Sequence, residues 1–440
     1  MKILCSVLLF VLFASATTIE RDTLPNGLVV LTVEAHKLPM VVMRASIRAG
    51  SVFDPQGKEG LANVVSQMFL RGTIHRTTDE IVETIESVGG TLSSFADEDY
   101  AGLTGRVLSK DLYLLIDLLS DCLQHPRFDS VELTRLRREV VSGIKALADD
   151  PFEVSEREFR HLIFHDHPLG HFPEGFDSSV VPINVSDVQK FYNSFYAPNN
   201  GFLVFVGDFC RDSLIEMLSE ALSSWKRRAV HLPDIPDPTA RATTVGKIVP
   251  MEISQAYILL GHLGPKYGAD DWHETRVMNY ILGGAASTSR IFEHVREKKG
   301  LAYIAYSYFR RYETGGYFMA EVQTKNEMAN EVIQIVLAEM RKAQDTIGVE
   351  ELQRAKKFYT GYFPLTHDSY GEMADVVSHI EIQHLGLDYL SRYEQLIESV
   401  RLGDLQASAR KYLHPDRFYV LIVGDVKPDD IDVEGIEWLE

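Results

Sequence analysis

Cysteine is scarce. The 440 residues hold three, Cys5, Cys122 and Cys210, too few for a disulfide-stapled scaffold. Positive charge is also in deficit, with Lys+Arg at 44 against Asp+Glu at 63 and a formal net charge of −19. An acidic surface repels phosphate backbones, and no Lys/Arg cluster is dense enough to override it, which excludes general nucleic-acid binding. Long apolar runs are missing as well. No stretch reaches the roughly 20 residues that cross a bilayer. The glycine- and serine-containing stretch from Leu282 to Tyr303 lacks GxGxxG and the GK[ST] ending, so it is no phosphate loop. What remains is 45% hydrophobic and 24% charged, the balance of a folded chain with a large core. The length predicts two or more domains.

The first residues carry an export pattern. Met1 and Lys2 give a short positive start, and 3–13 is apolar apart from Ser6. Ala14-Ser15-Ala16 follows with the small-x-small spacing of a signal-peptidase site. The run is too short to span a membrane, so 1–16 is read as a cleaved signal peptide and the mature chain starts near Thr17. A buried N-terminal strand or helix is the competing reading. Cys5 sits inside the run rather than after it, which argues against a lipoprotein anchor. Export would permit a disulfide between Cys122 and Cys210; two lone buried thiols are the expectation.

Two segments repeat. Tyr196-Ala-Pro198-Asn-Asn200 leads into an apolar run closed by Gly207-Asp208, and Tyr412-Leu-His-Pro415-Asp416 leads into another closed by Gly424-Asp425. The offset is 217 at Pro, Gly and Asp alike. A repeat of that period means two similar domains, not a solenoid. Pro233, Pro236 and Pro238 mark a linker between the copies. The expected organisation is 17–230, a linker at 231–245, and 246–440. Strands are expected at 27–33 and 41–47, adjacent to each other, and at 255–260 and 317–322. Helices are expected at 60–70, 79–88, 110–122, 130–147, 272–282, 328–343 and 349–359. Strands cluster before helices, which favours α+β domains with a largely antiparallel sheet.

The stretch from Leu282 to Tyr303 is the most specific. A helix ends at Gly283-Gly284, and a second runs to Lys299 and stops at Gly300, which fits a left-handed position just past a helix end. Arg296 then lies close to the turn that presents Tyr303. A cation and a phenol held together can grip a peptide carbonyl or carboxylate. The alternative is that Arg296 pairs with a nearby Glu and Tyr303 packs in the core. His161, His165, His167 and His171 form the densest histidine cluster, read as a surface or packing group. His379 and His384, five apart, do not share a helix face.

This stretch resembles the M16 peptidase family, the insulinase, pitrilysin and mitochondrial processing peptidase group. It is similar to the family's Leu-Gly-Gly-Gly-x-x-Ser-Arg-Leu-Phe-x-x-Val-Arg-Glu-Lys-x-Gly-Leu-x-Tyr signature. Further matches are Leu24-Pro-Asn-Gly-Leu28, Arg71-Gly-Thr73, Gly89-Gly90, Asp149-Asp-Pro151, His167-Pro-Leu-Gly170, Tyr196-x-Pro198-Asn199 and Phe363-Pro-Leu365. The resemblance implies two tandem homologous domains of LuxS/metallohydrolase-like fold, each a mostly antiparallel sheet packed with helices.

The family binds zinc through an inverted His-x-x-Glu-His motif, whose two His lie on one helix face and whose Glu is the general base. In the matching frame this chain has Asn63 and Gln67 at the His positions and Ser66 at the Glu position. The downstream ligand Glu falls on Gly143. The resemblance therefore implies a degenerate motif with no metal and no cofactor in this chain. The family's substrate-contacting Arg and Tyr match Arg296 and Tyr303, and its substrate-pairing strand matches Leu92 to Ala96. There the family usually has Asn-Ala and this chain has Ser93-Ser94.

The function implied is the non-catalytic subunit of an exported, periplasmic heterodimeric peptidase, whose partner supplies the intact zinc motif and whose substrate is a peptide or unfolded protein. A stand-alone peptide-binding or scaffold protein is the first alternative. An active metallopeptidase with an unorthodox site is the second.

Overall fold

The computed structural model describes residues 18–439. The signal-peptide segment 1–16 and its cleavage point therefore lie outside the described residues. Among the described residues no helix is long and apolar enough to cross a membrane.

Two six-stranded sheets organise the chain. The first holds β1 (Glu20–Thr23), β2 (Val29–Glu34), β3 (Met40–Ile47), β4 (Thr91–Ala96), β5 (Ala101–Leu108) and β6 (Gly201–Gly207), in the order β1-β2-β6-β3-β5-β4. The second holds β7 (Thr244–Pro250), β8 (Gln255–Leu263), β9 (Ala302–Arg311), β10 (Gly316–Lys325), β11 (Tyr419–Gly424) and β12 (Ile436–Leu439), in the order β12-β7-β11-β8-β10-β9. The repeated segments are the central strands β6 and β11. Each pairs parallel with one neighbour, β2 or β7, and antiparallel with the other, β3 or β8. Most pairings are antiparallel, so two α+β domains are present; they correspond in five strands and differ in the sixth, since β1 pairs antiparallel with β2 while β12 pairs parallel with β7.

One expectation fails. The strands read at 27–33 and 41–47 are not neighbours, because β6 lies between β2 and β3. Nearly every residue of β6 is buried. A strand that apolar must be covered on both faces and both edges, so it takes the centre of the sheet and separates the two local strands.

In the first half the helices are α1 (Leu61–Met68), α2 (Thr78–Glu86), α3 (Leu112–Gln124), α4 (Ser130–Ala146), α5 (Pro151–Phe164), α6 (Asp177–Val180), α7 (Val185–Phe195) and α8 (Arg211–Ala221). In the second half they are α9 (Trp272–Asn279), α10 (Arg290–Phe292), α11 (Ala329–Asp345), α12 (Val349–Tyr362), α13 (Tyr370–Ile382), α14 (Tyr389–Ser399) and α15 (Leu402–Tyr412). Two of them cross over. α5 belongs to the first half but packs on β8 and β11, while α13 belongs to the second half but packs on β3 and β6.

Side-chain alternation explains how this exchange works. Met43, Leu203 and Phe205 face one core, which also takes Phe159 and Ile163 from α5 and Met319 and Leu421 from the second sheet. Leu31, Phe202, Val204 and Val206 face the other, with Ala374 and Val377 from α13 and Val420 and Ile422 from β11. Each core thus draws on both halves of the chain. A buried ion pair fastens α5 to its own half as well: Arg160 on α5 meets Glu98, in the turn between β4 and β5, at 2.6 Å.

Candidate functional site

α1 begins at Gly60, and the carboxylate of Asp54 accepts the backbone N–H groups of Gly60 and Ala62, both at 2.7 Å. That satisfies one free donor in the first turn and the N–H of the residue that caps it. Asn63 and Gln67, four residues apart, share one half-buried face of α1. Gln67 Nε2 donates to Asn63 Oδ1 at 3.0 Å. Ser66 is fully buried and donates its hydroxyl to the Asn63 carbonyl at 3.0 Å. One hydrogen bond therefore ties the two amides together, and the hydroxyl is spent on the backbone.

Both β4 and α4 pack against α1. Gly143 lies on the exposed side of α4, and a Cβ there would meet open space. β4 is the edge of its sheet and pairs only with β5. The structure thus brings α1, the helix carrying Gly143 and a free strand edge into one region.

The second constellation sits at the equivalent edge of the other sheet, on β9. The chain approaches it through two π-turns, Tyr280–Gly284 and Glu293–Glu297. The expected helix at 272–282 is thus α-helical only to Asn279. The cause is close packing: a Cβ on Gly283 would stand 2.3 Å from Ser307 Oγ on β9, and Ser307 is bonded to Asn279 through both its carbonyl and its hydroxyl. Such π-bulges recur at functional sites.

Gly300 has φ +63°, the left-handed value expected of it. Gly300 N–H bonds the Arg296 carbonyl and Leu301 N–H the Val295 carbonyl, both at 2.9 Å, a nested pair each one residue wider than in a Schellman end, as the preceding π-turn requires. The chain reverses there and places Tyr303 beside Arg296. The guanidinium carbon lies 4.5 Å above the Tyr303 ring and 5.1 Å from that of Phe292, and Arg296 Nη1 donates to the Tyr303 carbonyl at 3.3 Å. Among the described residues Arg296 pairs with no Glu. Tyr303 is 73% exposed, so it is not a core residue. The two side chains form a solvent-facing cation and phenol with hydrogen-bonding capacity to spare.

Elsewhere the expected histidine cluster separates. His165 accepts from Arg241 at 3.1 Å, His167 bonds the Pro236 carbonyl at 2.9 Å, and His171 bonds the Phe172 carbonyl at 3.0 Å. Burial lowers the pKa of all three. Each fastens its own loop. Among the described residues both cysteines are free, Cys122 buried as expected but Cys210 exposed. Cys210 immediately precedes α8, where the backbone and side chain of Ser213 stabilise its thiolate and lower its pKa.

One group of potential metal ligands escapes a reading by sequence spacing. His75, Asp121 and His125 converge, the only such group among the described residues. Asp121 Oδ1 lies 2.7 Å from His75 Nδ1 and 3.5 Å from His125 Nδ1, while Oδ2 accepts from Thr73 at 2.7 Å and Arg76 at 2.6 Å. Arg76 also bridges to Asp117 at 2.6 Å. The carboxylate is already neutralised and bonded at both oxygens, which holds its pKa down despite burial. The group reads as a hydrogen-bonded hub that joins the turn before α2 to the end of α3. Only the separation of 50 residues between its histidines hides it from the sequence.

The comparisons with known proteins agree with this architecture. A model described as insulinase (peptidase family M16) matches residues 29–171, and one described as the peptidase M16 inactive domain matches residues 182–359. A Bacillus subtilis relative named as an uncharacterized zinc protease is 27% identical over 356 residues, covering 80% of this chain and 85% of its own. A Streptomyces coelicolor relative of the same description is 26% identical over 406 residues, covering 90% and 87%. The crystal structure of a peptidase M16 inactive domain from Pseudomonas fluorescens superposes with TM-score 0.86 at 24% identity, over 96% of this chain and all of that one. A protease from Helicobacter pylori gives the same TM-score at 19% identity, over 93% and 99%. At these identities the likeness to the solved structures is one of fold.

Proposed function

The chain belongs to the M16 peptidase family, and from that premise we propose that it is the non-catalytic half of an exported heterodimeric zinc peptidase. The observation that carries this reading is a contrast between two sites. At the family's metal positions, the Asn63 and Gln67 amides bond each other, the Ser66 hydroxyl is tied to the backbone, and Gly143 has no side chain. Neutral amides are weak zinc ligands beside imidazole and carboxylate, and a serine hydroxyl cannot serve as a carboxylate base. These residues do not fit a zinc ion, and no hydrolytic step is assigned to them. At the other site, Arg296 and Tyr303 stand side by side and face solvent.

In this reading a second M16 chain with an intact zinc motif faces this one across a shared chamber. This chain contributes Arg296 and Tyr303 to hold the substrate and walls to enclose it. The β4 edge offers unpaired backbone groups for an extended peptide. Export to a periplasm rests on the pattern at 1–16. The test is co-expression with M16 chains that carry His-x-x-Glu-His, followed by size measurement and a peptide-cleavage assay. A one-to-one complex that cleaves, formed from two chains inert alone, is the expected result. Failure to pair with any of them, together with peptide binding by the chain alone, would favour the stand-alone binding protein.

A further inference from the structure

Buried cations are normally paired with acids. In the second half, the buried Arg311 and the half-buried Arg276 break that rule in the same cavity. Arg276 on α9 and Arg311 at the end of β9 both line a space of about 590 Å³ between α9, α12, α13 and α14. Neither forms an ion pair among the described residues. Arg311 lies 3.4 Å over the Trp272 ring and 5.4 Å from that of Tyr267, and donates to Gln383 Oε1 at 2.7 Å. Arg276 lies 4.7 Å over Tyr359 and 5.8 Å from Tyr393. Aromatic faces hold both guanidiniums in place, but they supply no countercharge.

The acids at the cavity wall are committed elsewhere. Asp375 pairs with Arg44 at 3.0 Å, and Glu372 accepts from the backbone and hydroxyl of Ser369 at the start of α13. The uncompensated charge is felt by its neighbours. Burial, with Arg311 and Arg276 adding to it, pushes His379 in the cavity wall down to about 4. His273 is lowered to about 4 by burial and the same two arginines. Burial also brings Arg311 itself down to about 10. All of this occurs in a chain with a net charge of −19.

We propose that this cavity binds the carboxylate of a ligand with an aromatic body, the acid group taken by Arg276 and Arg311. A planar guanidinium matches a carboxylate with two parallel N–H bonds. Tyr267, Trp272, Phe309, Tyr359 and Phe363 supply the apolar wall for the rest of the ligand. The volume falls within the range of small-molecule sites. The site shares no residue with the Arg296 and Tyr303 pair, so it stands or falls independently of the heterodimer.

Isothermal titration of the full mature chain tests it, with N-acetyl-L-phenylalanine, its carboxamide, 3-phenylpropionate and N-acetyl-Ala-Ala-Phe as probes. The acids are expected to bind at least about tenfold more tightly than the carboxamide, the effect of one charged hydrogen-bonded contact. Arg311→Met, which keeps the volume and removes the charge, is expected to abolish that preference while the circular dichroism spectrum is unchanged. Tighter binding of the tripeptide than of phenylpropionate would identify a peptide C-terminus as the ligand; equal binding would identify a free aromatic acid. Acid and carboxamide binding alike, or no heat from any probe up to about 1 mM, would overturn the proposal, and neither result depends on how the variant folds.

Discussion

Arg296→Ala and Tyr303→Phe separate a substrate-binding pair from a structural one. The structural worth of the pair is small. Arg296 makes one long hydrogen bond and two ring contacts at a partly exposed site, and exposed cation–π contacts are worth about 0.5–1 kcal/mol. A loss of about 1 kcal/mol lowers the melting midpoint by roughly 2–4 °C in a domain of 150–250 residues, and by less in a larger cooperative unit. Tyr303→Phe removes an exposed hydroxyl and is expected to change stability by no more than about 0.5 kcal/mol. The functional worth is larger. A hydrogen bond from a charged group to substrate contributes about 1.5–3 kcal/mol, which is roughly 10- to 150-fold in rate if the contact is made in the transition state. The assay is peptide cleavage by the assembled complex, with thermal melting on the same preparations. Slow cleavage at a nearly unchanged midpoint is the expected pattern. Wild-type rates in both variants, or rates that fall only in step with folded protein, would show that the pair does not hold the substrate.

Metal analysis of the dialysed chain is expected to find no stoichiometric zinc, because the positions at 63, 67 and 143 offer two mutually bonded amides and no side chain; one firmly held zinc that survives His75→Asn would contradict this. Glu98→Ala strips the partner from Arg160, whose side chain is 3% exposed, and is expected to destabilise the protein by about 3–5 kcal/mol in a denaturant melt. Glu156 has its pKa raised to about 7, by burial first and then by the nearby Glu321. The folded state therefore holds this proton more tightly than the unfolded chain, so the stabilisation is present at low pH and is lost as pH rises through about 7. Glu156→Gln is expected to gain stability relative to wild type between pH 5 and pH 8, and equal pH slopes in the two proteins would show that the carboxyl is not perturbed.

Local features were legible in the sequence because local chemistry decides them. Gly300 marks a helix end that only a left-handed residue makes easily. The two apolar runs closed by Gly-Asp identify β6 and β11, since such runs need cover on both faces. Sheet order was not legible. Whether β3 lies beside β2 or across β6 depends on pairing over some 160 residues, which no periodicity records. The exchange of α5 and α13 is hidden for the same reason: an amphipathic helix states that it has an apolar face, not which sheet receives it. The π-turn at Tyr280–Gly284 arises from contact with Ser307, a residue over 20 positions downstream. At the candidate site, the residue types at 63, 66, 67 and 143 were readable, but the hydrogen bond between two of them was not. Arg276 and Arg311 were invisible as a pair, since each alone resembles an ordinary surface charge.

The most direct measurement is cleavage of an unfolded reporter peptide by a zinc-bearing M16 partner, titrated with this chain. Activity is expected to rise from near zero to a plateau at one chain per partner, and the same titration with a chain carrying both Arg296→Ala and Tyr303→Phe is expected to form the complex but stay near the baseline. A partner equally active without this chain, or fully activated by the doubly substituted one, would contradict that expectation.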